Sequence, residues 1–583
     1  MAHFAKPAKS TILLGWSVIC GSTVLLAGCW GKPAASESSS ADKPAPASIQ
    51  PAVGLTDITD AVGIQIRHNA GDNAVYEFPR SMGSGIAWMH ADSDNRLDLL
   101  LVQGGDLSEL NVVHPVATLL RQTEEGKLED ITSQSNLLGT GYGMGIAIGD
   151  VDRDGDEDIY LTKYGPDQLF LNDGQGHFTD ITEEAGVSNL RWSTAAAMID
   201  VNDDGWLDLV VVNYVDYFPG SFCADAASRQ DFCGPMDFHG TPDRILLNRT
   251  QSPKSAVRFE DVSGKSLIAS MPGKGLGLVC RDFNSDGQTD LFIANDGEPN
   301  FLWIQNEGVF SEEAVVRGVA VNRLGESEAD MGTGLGDLNA DGIPDLFVTH
   351  LSGEMNTVWT GNAEGYFVDS TTQLNAGISS LQATGFGTAL NDLDHDGDMD
   401  ILVVNGKVKR ARFQASASSD FWSNYAESNL LLIQQDGRFN SLNDMPGWST
   451  QPRVSRGLAT ADIDDDGDMD FAVSNIGQKP QIFRNDFPKR GHWLIVEPLA
   501  EQSANGVRID VIANGRQLTA EILPHTSYLS SHEPVAHFGL GDCQKIDRVK
   551  IHWRKPDAFT EIFQSINVDC RVQLKKGSGK RMN

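Results

Sequence analysis

Aspartate recurs at fixed spacing through most of this chain. Seven short segments begin at residues 90, 150, 200, 282, 337, 392 and 462. Counting each first residue as position 1, six segments carry an oxygen side chain at positions 1, 3, 5 and 9. These are Asp150, Asp152, Asp154 and Asp158; Asp200, Asn202, Asp204 and Asp208; and Asp282, Asn284, Asp286 and Asp290. Then come Asp337, Asn339, Asp341 and Asp345; Asp392, Asp394, Asp396 and Asp400; and Asp462, Asp464, Asp466 and Asp470. All six have glycine at position 6. The first segment departs: Asp92, Asp94 and Asp98 are in place, but His90 stands at position 1 and Asn95 replaces the glycine.

Alternate residues of a tight loop point inward, so the four side chains converge, and glycine permits the reversal. With a backbone carbonyl at position 7 and a water, the set approaches the six to eight oxygens that Ca2+ prefers. Mg2+ wants fewer protein ligands and stricter geometry. Zinc is not the expected ion, because no Cys or His cluster accompanies the loops in sequence. Positions 1, 3, 5 and 9 of the loops hold 24 of the 80 acidic residues, and carboxylates so gathered repel unless a cation or protons join them. Solvated Asp-Gly turns explain one such loop, but not seven at one spacing. An EF-hand needs Glu at position 12, where Leu161, Val211 and Ile293 stand. Up to seven calcium ions are expected, with the first loop the weakest site.

The elements that position the loops are strands. Small apolar segments precede them, such as Gly83-Ser84-Gly85-Ile86-Ala87 and Gly143-Met144-Gly145-Ile146-Ala147. Their glycines recur with period two, which is strand spacing and marks close approach of another backbone. Strands crowding a central axis are the expected cause. Apolar strands follow the loops, at 97–102, 159–162, 207–212, 291–294, 346–349, 401–404 and 471–474. A third strand (168–172, 244–248) and a fourth (177–182) complete a unit. Four strands repeated seven times predict an all-β chain, a seven-bladed β-propeller. The seventh unit lacks a fourth strand, and 55–59 has the sequence of one, so it is expected to pair there and remove the open edge.

These units resemble FG-GAP (VCBS) repeats, the calcium-loop blades also found in integrin α-subunit propellers. The resemblance implies a propeller with its calcium loops on one face. Residues 491–576 lack the loops and read as a small C-terminal β-rich domain. Their runs Ser527-Tyr528-Leu529-Ser530-Ser531 and His537-Phe538-Gly539-Leu540-Gly541 resemble the ASPIC/UnbV domain that follows propeller repeats in cartilage-acidic-protein-like chains. Met82-Gly83-Ser84-Gly85 and Cys233-Gly234-Pro235 match that group too. Where the family has a Trp-Pro-Ser-Gly turn, this chain has Trp553 followed by Arg554-Lys555-Pro556. Tyr528 and His537 are expected to pack strands rather than to catalyse.

The first residues read as an export signal: Lys6 and Lys9, then an apolar stretch to Ala27. Leu26-Ala27-Gly28-Cys29 resembles a bacterial lipobox, which implies cleavage after residue 28 and lipidation of Cys29. A transmembrane anchor is the alternative. Residues 29–51 are a tether, 52–487 the propeller, 491–576 the last domain and 577–583 a basic tail. Trp30 in place of Asp implies outer-membrane sorting in a Gram-negative host. Export permits disulfides; Cys223 with Cys233, and Cys543 with Cys570, are the candidate pairs, and Cys280 a buried free thiol. A net charge of −35 argues against nucleic-acid binding.

Two functions follow. One is a calcium-binding platform of the cell envelope, held to the membrane by its lipid anchor, whose blade-to-blade loops, including 221–240, recognise a protein or glycan ligand. The alternative is an envelope or biosynthetic-pathway enzyme with its site in the channel or between the domains. No Gly-x-Ser-x-Gly or His-Glu-x-x-His pattern is present, and no catalytic or cofactor-binding residues are singled out. Propellers host both classes.

Overall fold

Period-two alternation of apolar residues specifies strand register, because a slip of one residue turns the apolar set to water. In a computed structural model, which describes residues 54–71, 75–225, 227–410, 421–501 and 503–582, that alternation yields seven four-stranded antiparallel sheets. The first sheet runs Ile86–Met89, Asp98–Val102, Ala117–Gln122, Leu128–Asp130. The next six begin with Tyr142–Gly149, Ser193–Ile199, Gly275–Arg281, Thr333–Gly336, Gly385–Asn391 and Ser455–Ala461. Each first strand touches the next, and the seventh returns to the first. This closed cycle fits a β-propeller. The signal, the tether and Cys29 lie outside the described residues.

The seventh sheet takes its outer strand from the start of the propeller: Leu55–Asp57 pairs antiparallel with Gln481–Asn485, Leu55 opposite Asn485. Amides at the ends of third strands stitch sheet to sheet. Asn172, Asn248, Gln305 and Asn485 donate to the carbonyls of Ala91, Val151, Val201 and Leu393, each in the preceding sheet's loop. Gln122 donates to the Ile463 carbonyl at 3.0 Å, from the first sheet to the seventh. Each sheet sandwiches apolar layers with its neighbours, as where Leu100, Ile146, Ile159 and Phe170 meet.

The C-terminal domain pairs a three-stranded sheet (Ala536–Gly541, His492–Leu499, Cys570–Lys575) with a five-stranded one. The latter runs Arg516–Glu521, Arg508–Ala513, Ile546–Trp553, Phe559–Phe563, Lys580–Arg581. Leu494, Val496, Ile509, Val511 and Ile551 fill the space between them. Lys580 and Arg581, read from sequence as tail, form an edge strand, with the Arg581 guanidinium 4.2 Å from the Phe559 ring centre.

The connection between Arg516–Glu521 and Ala536–Gly541 leaves its own domain and occupies the propeller axis. Ser527 exchanges backbone hydrogen bonds with Thr333, and its Oγ accepts the Thr388 N–H. Ser531 donates its N–H to Ile86 and accepts that of Trp88, and its Oγ donates to Ile146. His532 Nδ1 accepts the Thr460 N–H. The segment thus holds the first strands of sheets one, two, five, six and seven. The close approach that the glycines announce is this segment's as much as the strands' own. A Cβ on Gly85 would stand 1.9 Å from the Leu529 carbonyl oxygen, and one on Gly457 2.6 Å from Ser530 Oγ.

Candidate metal loops and the two faces of the propeller

Six of the seven aspartate loops share one backbone. Position 4 is left-handed, with φ between 56° and 62° at Arg153, Asp203, Ser285, Ala340, His395 and Asp465. The position-6 glycines have φ of 83° to 99°, which L side chains adopt only with strain. The position-1 carboxylate accepts the N–H groups of positions 5 and 6, as Asp150 does from Asp154 and Gly155 at 3.1 and 3.0 Å. In all seven loops the position-9 carboxylate is a staple. Asp158 accepts the Val151 N–H with one oxygen and the Asn172 N–H, from the third strand, with the other.

Oxygens of Asp150, Asp152 and Asp158 converge within 4.8 Å of one another, as do those of Asp392, Asp394 and Asp396, and of Asp462, Asp464 and Asp470. In the other three loops an amide takes position 3. Asn202 Nδ2 and Asn284 Nδ2 lie 2.9 and 3.0 Å from Asp204 and Asp286, and Asn339 Oδ1 accepts the Asp341 N–H. Burial pushes the position-9 carboxyls upward: Asp158, Asp208 and Asp470 well above the usual range, Asp290 and Asp345 to about 7, Asp400 to about 8. No Lys or Arg pairs with Asp158, Asp208 or Asp470 among the described residues. Buried carboxylates in this number, all oxygen donors, suit a hard divalent cation.

Loop one is built differently. Its left-handed residue is Asn95 rather than position 4, and His90 Nδ1 faces the Arg96 carbonyl oxygen at 3.0 Å. The Arg96 guanidinium pairs with Asp94. Asp92 accepts the Asp94 N–H, and Asp98 keeps its staple to Ala91 and Gln122. In loop one the cation among the acids is thus supplied by the loop itself.

The chain covers its own loop end. Arg490, in the linker, reaches Asp394 and Asp396 at 3.0 and 3.2 Å. Arg554 and Lys555 pair with Asp203 at 3.1 and 3.2 Å, and Arg516 donates to the Gly397 carbonyl. The Arg554-Lys555 pair, standing where the family has a Trp-Pro-Ser-Gly turn, therefore docks onto loop three. A cavity of about 510 Å³ remains at this junction, lined by His90, Glu157, Glu533 and Arg571 among others. Glu533 is already paired with Arg571 and accepts the Asp462 N–H. The axis is filled where Tyr528 is wholly buried, its ring 4.9 Å from that of Phe386.

The opposite end is open. There a cavity of about 600 Å³ is lined by Phe78, Met82, Met236, Met331 and Val408, together with the acids Asp296 and Glu354 and the bases Lys407, Lys409 and Arg410. Under it, Tyr214 donates to Asp296 at 2.5 Å within an aromatic cluster of Phe78, Trp192, Tyr217 and Phe238. Cys223 and Cys233 are disulfide-bonded across the neighbouring insertion, with Cα atoms 5.1 Å apart. The second expected bridge is not formed: Cys543 and Cys570 are free. Strand His492–Leu499 lies between Ala536–Gly541, which leads to Cys543, and the strand that Cys570 begins. Two strand spacings, about 9.6 Å, exceed disulfide reach. Cys280 is a buried free thiol.

Sequence reading missed the stitching amides and the axial segment. The amides had a signal, in that Asn172 and Asn248 both end third strands. The axial segment had only its Ser-Tyr-Leu-Ser-Ser composition.

Residues 90–161, 151–211, 282–348 and 337–403 match the family described as FG-GAP-like repeat, and 499–581 match ASPIC and UnbV. Cartilage acidic protein 1 of Mus musculus is 25% identical over 486 residues, 71% of each chain. Its Homo sapiens counterpart is 25% identical over 441 residues, 71% of this chain and 60% of its own. A solved Agrocybe aegerita lectin aligns over 68% of this chain and 86% of its own, with 13% identity and a TM-score of 0.36, too low to carry an argument. The chain is an FG-GAP repeat protein with a C-terminal ASPIC and UnbV domain, related to the cartilage acidic protein 1 chains.

Proposed function

We propose that this chain is a calcium-stabilised binding platform of the cell envelope, lipid-anchored at Cys29, which takes a protein or glycan partner at the propeller end opposite the aspartate loops. One observation carries the reading. The loop end is engaged by the chain's own C-terminal domain, whereas the other end presents Phe218, Phe222 and Met236 at 64%, 70% and 75% exposure on one disulfide-closed insertion. Large apolar side chains grouped on a rigid frame are what a partner surface needs. Calcium would be held by the position 1, 3, 5 and 9 side chains of loops two to seven. Its part is to neutralise carboxylates that otherwise repel, so it stabilises the frame and takes no part in recognition.

The test uses detergent-extracted full-length chain on arrays of glycans and of envelope proteins from its host. Replacing Phe218, Phe222 and Met236 together by Ser is expected to abolish the captured signal and leave calcium-dependent melting intact. Unchanged capture by that variant rejects the open face as the binding surface. Lipid anchoring is tested separately: labelled palmitate is expected to enter the parent chain and not a Cys29→Ala variant.

A further inference from the structure

We infer that the cavity at the open end binds a short apolar peptide whose free ammonium end is held by Asp296. The site lies beside the apolar insertion of the proposed partner surface and goes beyond that reading, because it takes a small ligand and needs no partner protein. The anchor is a buried carboxylate with an oxygen to spare. Asp296 is 7% exposed and lines the cavity. One of its oxygens accepts the Tyr214 hydroxyl at 2.5 Å, and the other has no donor among the described residues. Glu354 also lines the cavity and gives one oxygen to the Ala329 N–H at 2.9 Å.

Charge selects what that oxygen takes. Asp296, Glu328, Asp330 and Glu354 stand close enough to repel one another. Lys274 nearby is taken by Glu298 at 2.9 Å, and burial holds His350, 3.3 Å from Asp330, neutral. An ammonium group offsets the repulsion and brings three donors. A calcium ion wants six to eight oxygens, whereas Phe78, Met82, Met331, Leu351 and Val408 make up much of the lining and offer none from their side chains. They suit the body of an apolar peptide instead. Three bases share the lining. Lys407 pairs with Glu427 at 3.4 Å, and the Arg410 guanidinium donates to the Tyr76 hydroxyl and the Gln230 carbonyl. Lys409 is exposed and has no ion pair among the described residues, so it is left for the peptide's carboxylate. The volume of about 600 Å³ lies within the ~300–1,000 Å³ usual for small-molecule sites.

The probe is trileucine, titrated by calorimetry into full-length chain held in lipid nanodiscs with excess calcium, against empty nanodiscs. One saturable site per chain is expected. N-acetyl-trileucine is expected to bind about 10- to 100-fold more weakly, the usual loss when a hydrogen bond to a charged group goes, and Asp296→Asn to weaken the free peptide by a similar factor. Trileucine amide is expected to bind the parent more weakly than the free acid does, and Lys409→Gln to erase that difference. Calcium-dependent melting reports whether each variant is folded, and the acetylated peptide tests the anchor without any variant. No saturable trileucine binding overturns the site, as does equal binding of free and acetylated peptide, or of trileucine by parent and folded Asp296→Asn chains. Hexylamine binding as tight as trileucine overturns the peptide as the ligand. Partner capture through Phe218, Phe222 and Met236 is measured without peptide, so its failure and the failure of this site are distinguishable.

Discussion

The Tyr528 hydroxyl donates to the Met82 carbonyl at 3.1 Å, across 446 residues of sequence. Met82 closes the short helix Phe78–Met82 that leads into the first sheet, and Tyr528 belongs to the C-terminal domain. The domain is therefore part of the propeller's core rather than an appendage. Tyr528→Ala is expected to cost about 3–5 kcal/mol, the usual price of emptying an aromatic site in a packed interior. Tyr528→Phe, which removes only the hydroxyl, is expected to cost about 1 kcal/mol. Denaturant midpoints of the two variants check this, and equal small losses contradict a packed axis.

Gln122 makes a narrower test of ring closure. Its amide joins sheet one to the Ile463 carbonyl of sheet seven. Gln122→Ala is expected to destabilise by about 1 kcal/mol and to raise amide exchange in Leu55–Asp57 and Gln481–Asn485, the strands beside the seam. Exchange spread evenly over all seven sheets contradicts a local seam.

Without metal, buried loop carboxyls are raised to about 7 at Asp290, Asp345, Asp392 and Asp462, and to about 8 at Asp400. Unfolded, they titrate near pH 4. Between those values the folded, metal-free chain holds more protons than the unfolded one. Its carboxyl contribution is therefore fully present below about pH 4 and is lost as pH rises through 7 and 8. Calcium requires the deprotonated groups, so its stabilisation grows over the same range. Urea midpoints between pH 5 and 8 are expected to fall in chelator and to rise in calcium. Parallel slopes in the two buffers would sink the loops as the metal's seat.

Much of this was legible because the signal is local. Asp at positions 1, 3, 5 and 9 and Gly at 6 dictate one turn, whatever surrounds it, and period-two apolar runs dictate the strands beside it. The pairing of 55–57 into the last sheet was readable because an unmatched strand had one vacancy to fill. The axial course of 525–533 was not, since nothing in Ser-Tyr-Leu-Ser-Ser names a partner hundreds of residues away. Cys543 and Cys570 failed for a related reason: composition counts thiols, but the strand His492–Leu499 that separates them is a matter of sheet order.

The Cys223–Cys233 bond closes a short loop on the open face. The chain-entropy estimate for so short a loop is about 3 kcal/mol. It is confined to the insertion, because the seven sheets close without it. Cys223→Ser with Cys233→Ser is expected to raise hydrogen exchange across 218–238 and to weaken partner capture, with calcium-dependent melting unchanged. A fall in the melting temperature of the whole propeller would show that the insertion supports the frame.

Loop one decides the metal count. Arg96 pairs with Asp94 there, and the left-handed residue has moved from position 4 to Asn95. What sets loop one apart is its own make-up: His90 offers no carboxylate at position 1, Asn95 stands where the other loops have glycine, and the guanidinium among its acids comes from within the loop rather than from the linker, as Arg490 does at loop six. Equilibrium dialysis of the full-length chain is expected to find six calcium ions rather than seven. Replacing His90 by Asp, Asn95 by Gly and Arg96 by Gln restores the donor set and glycine of the other loops, and is expected to add the seventh. Seven ions in the parent chain would mean that Arg96 yields to calcium and that the pairing with Asp94 is no barrier.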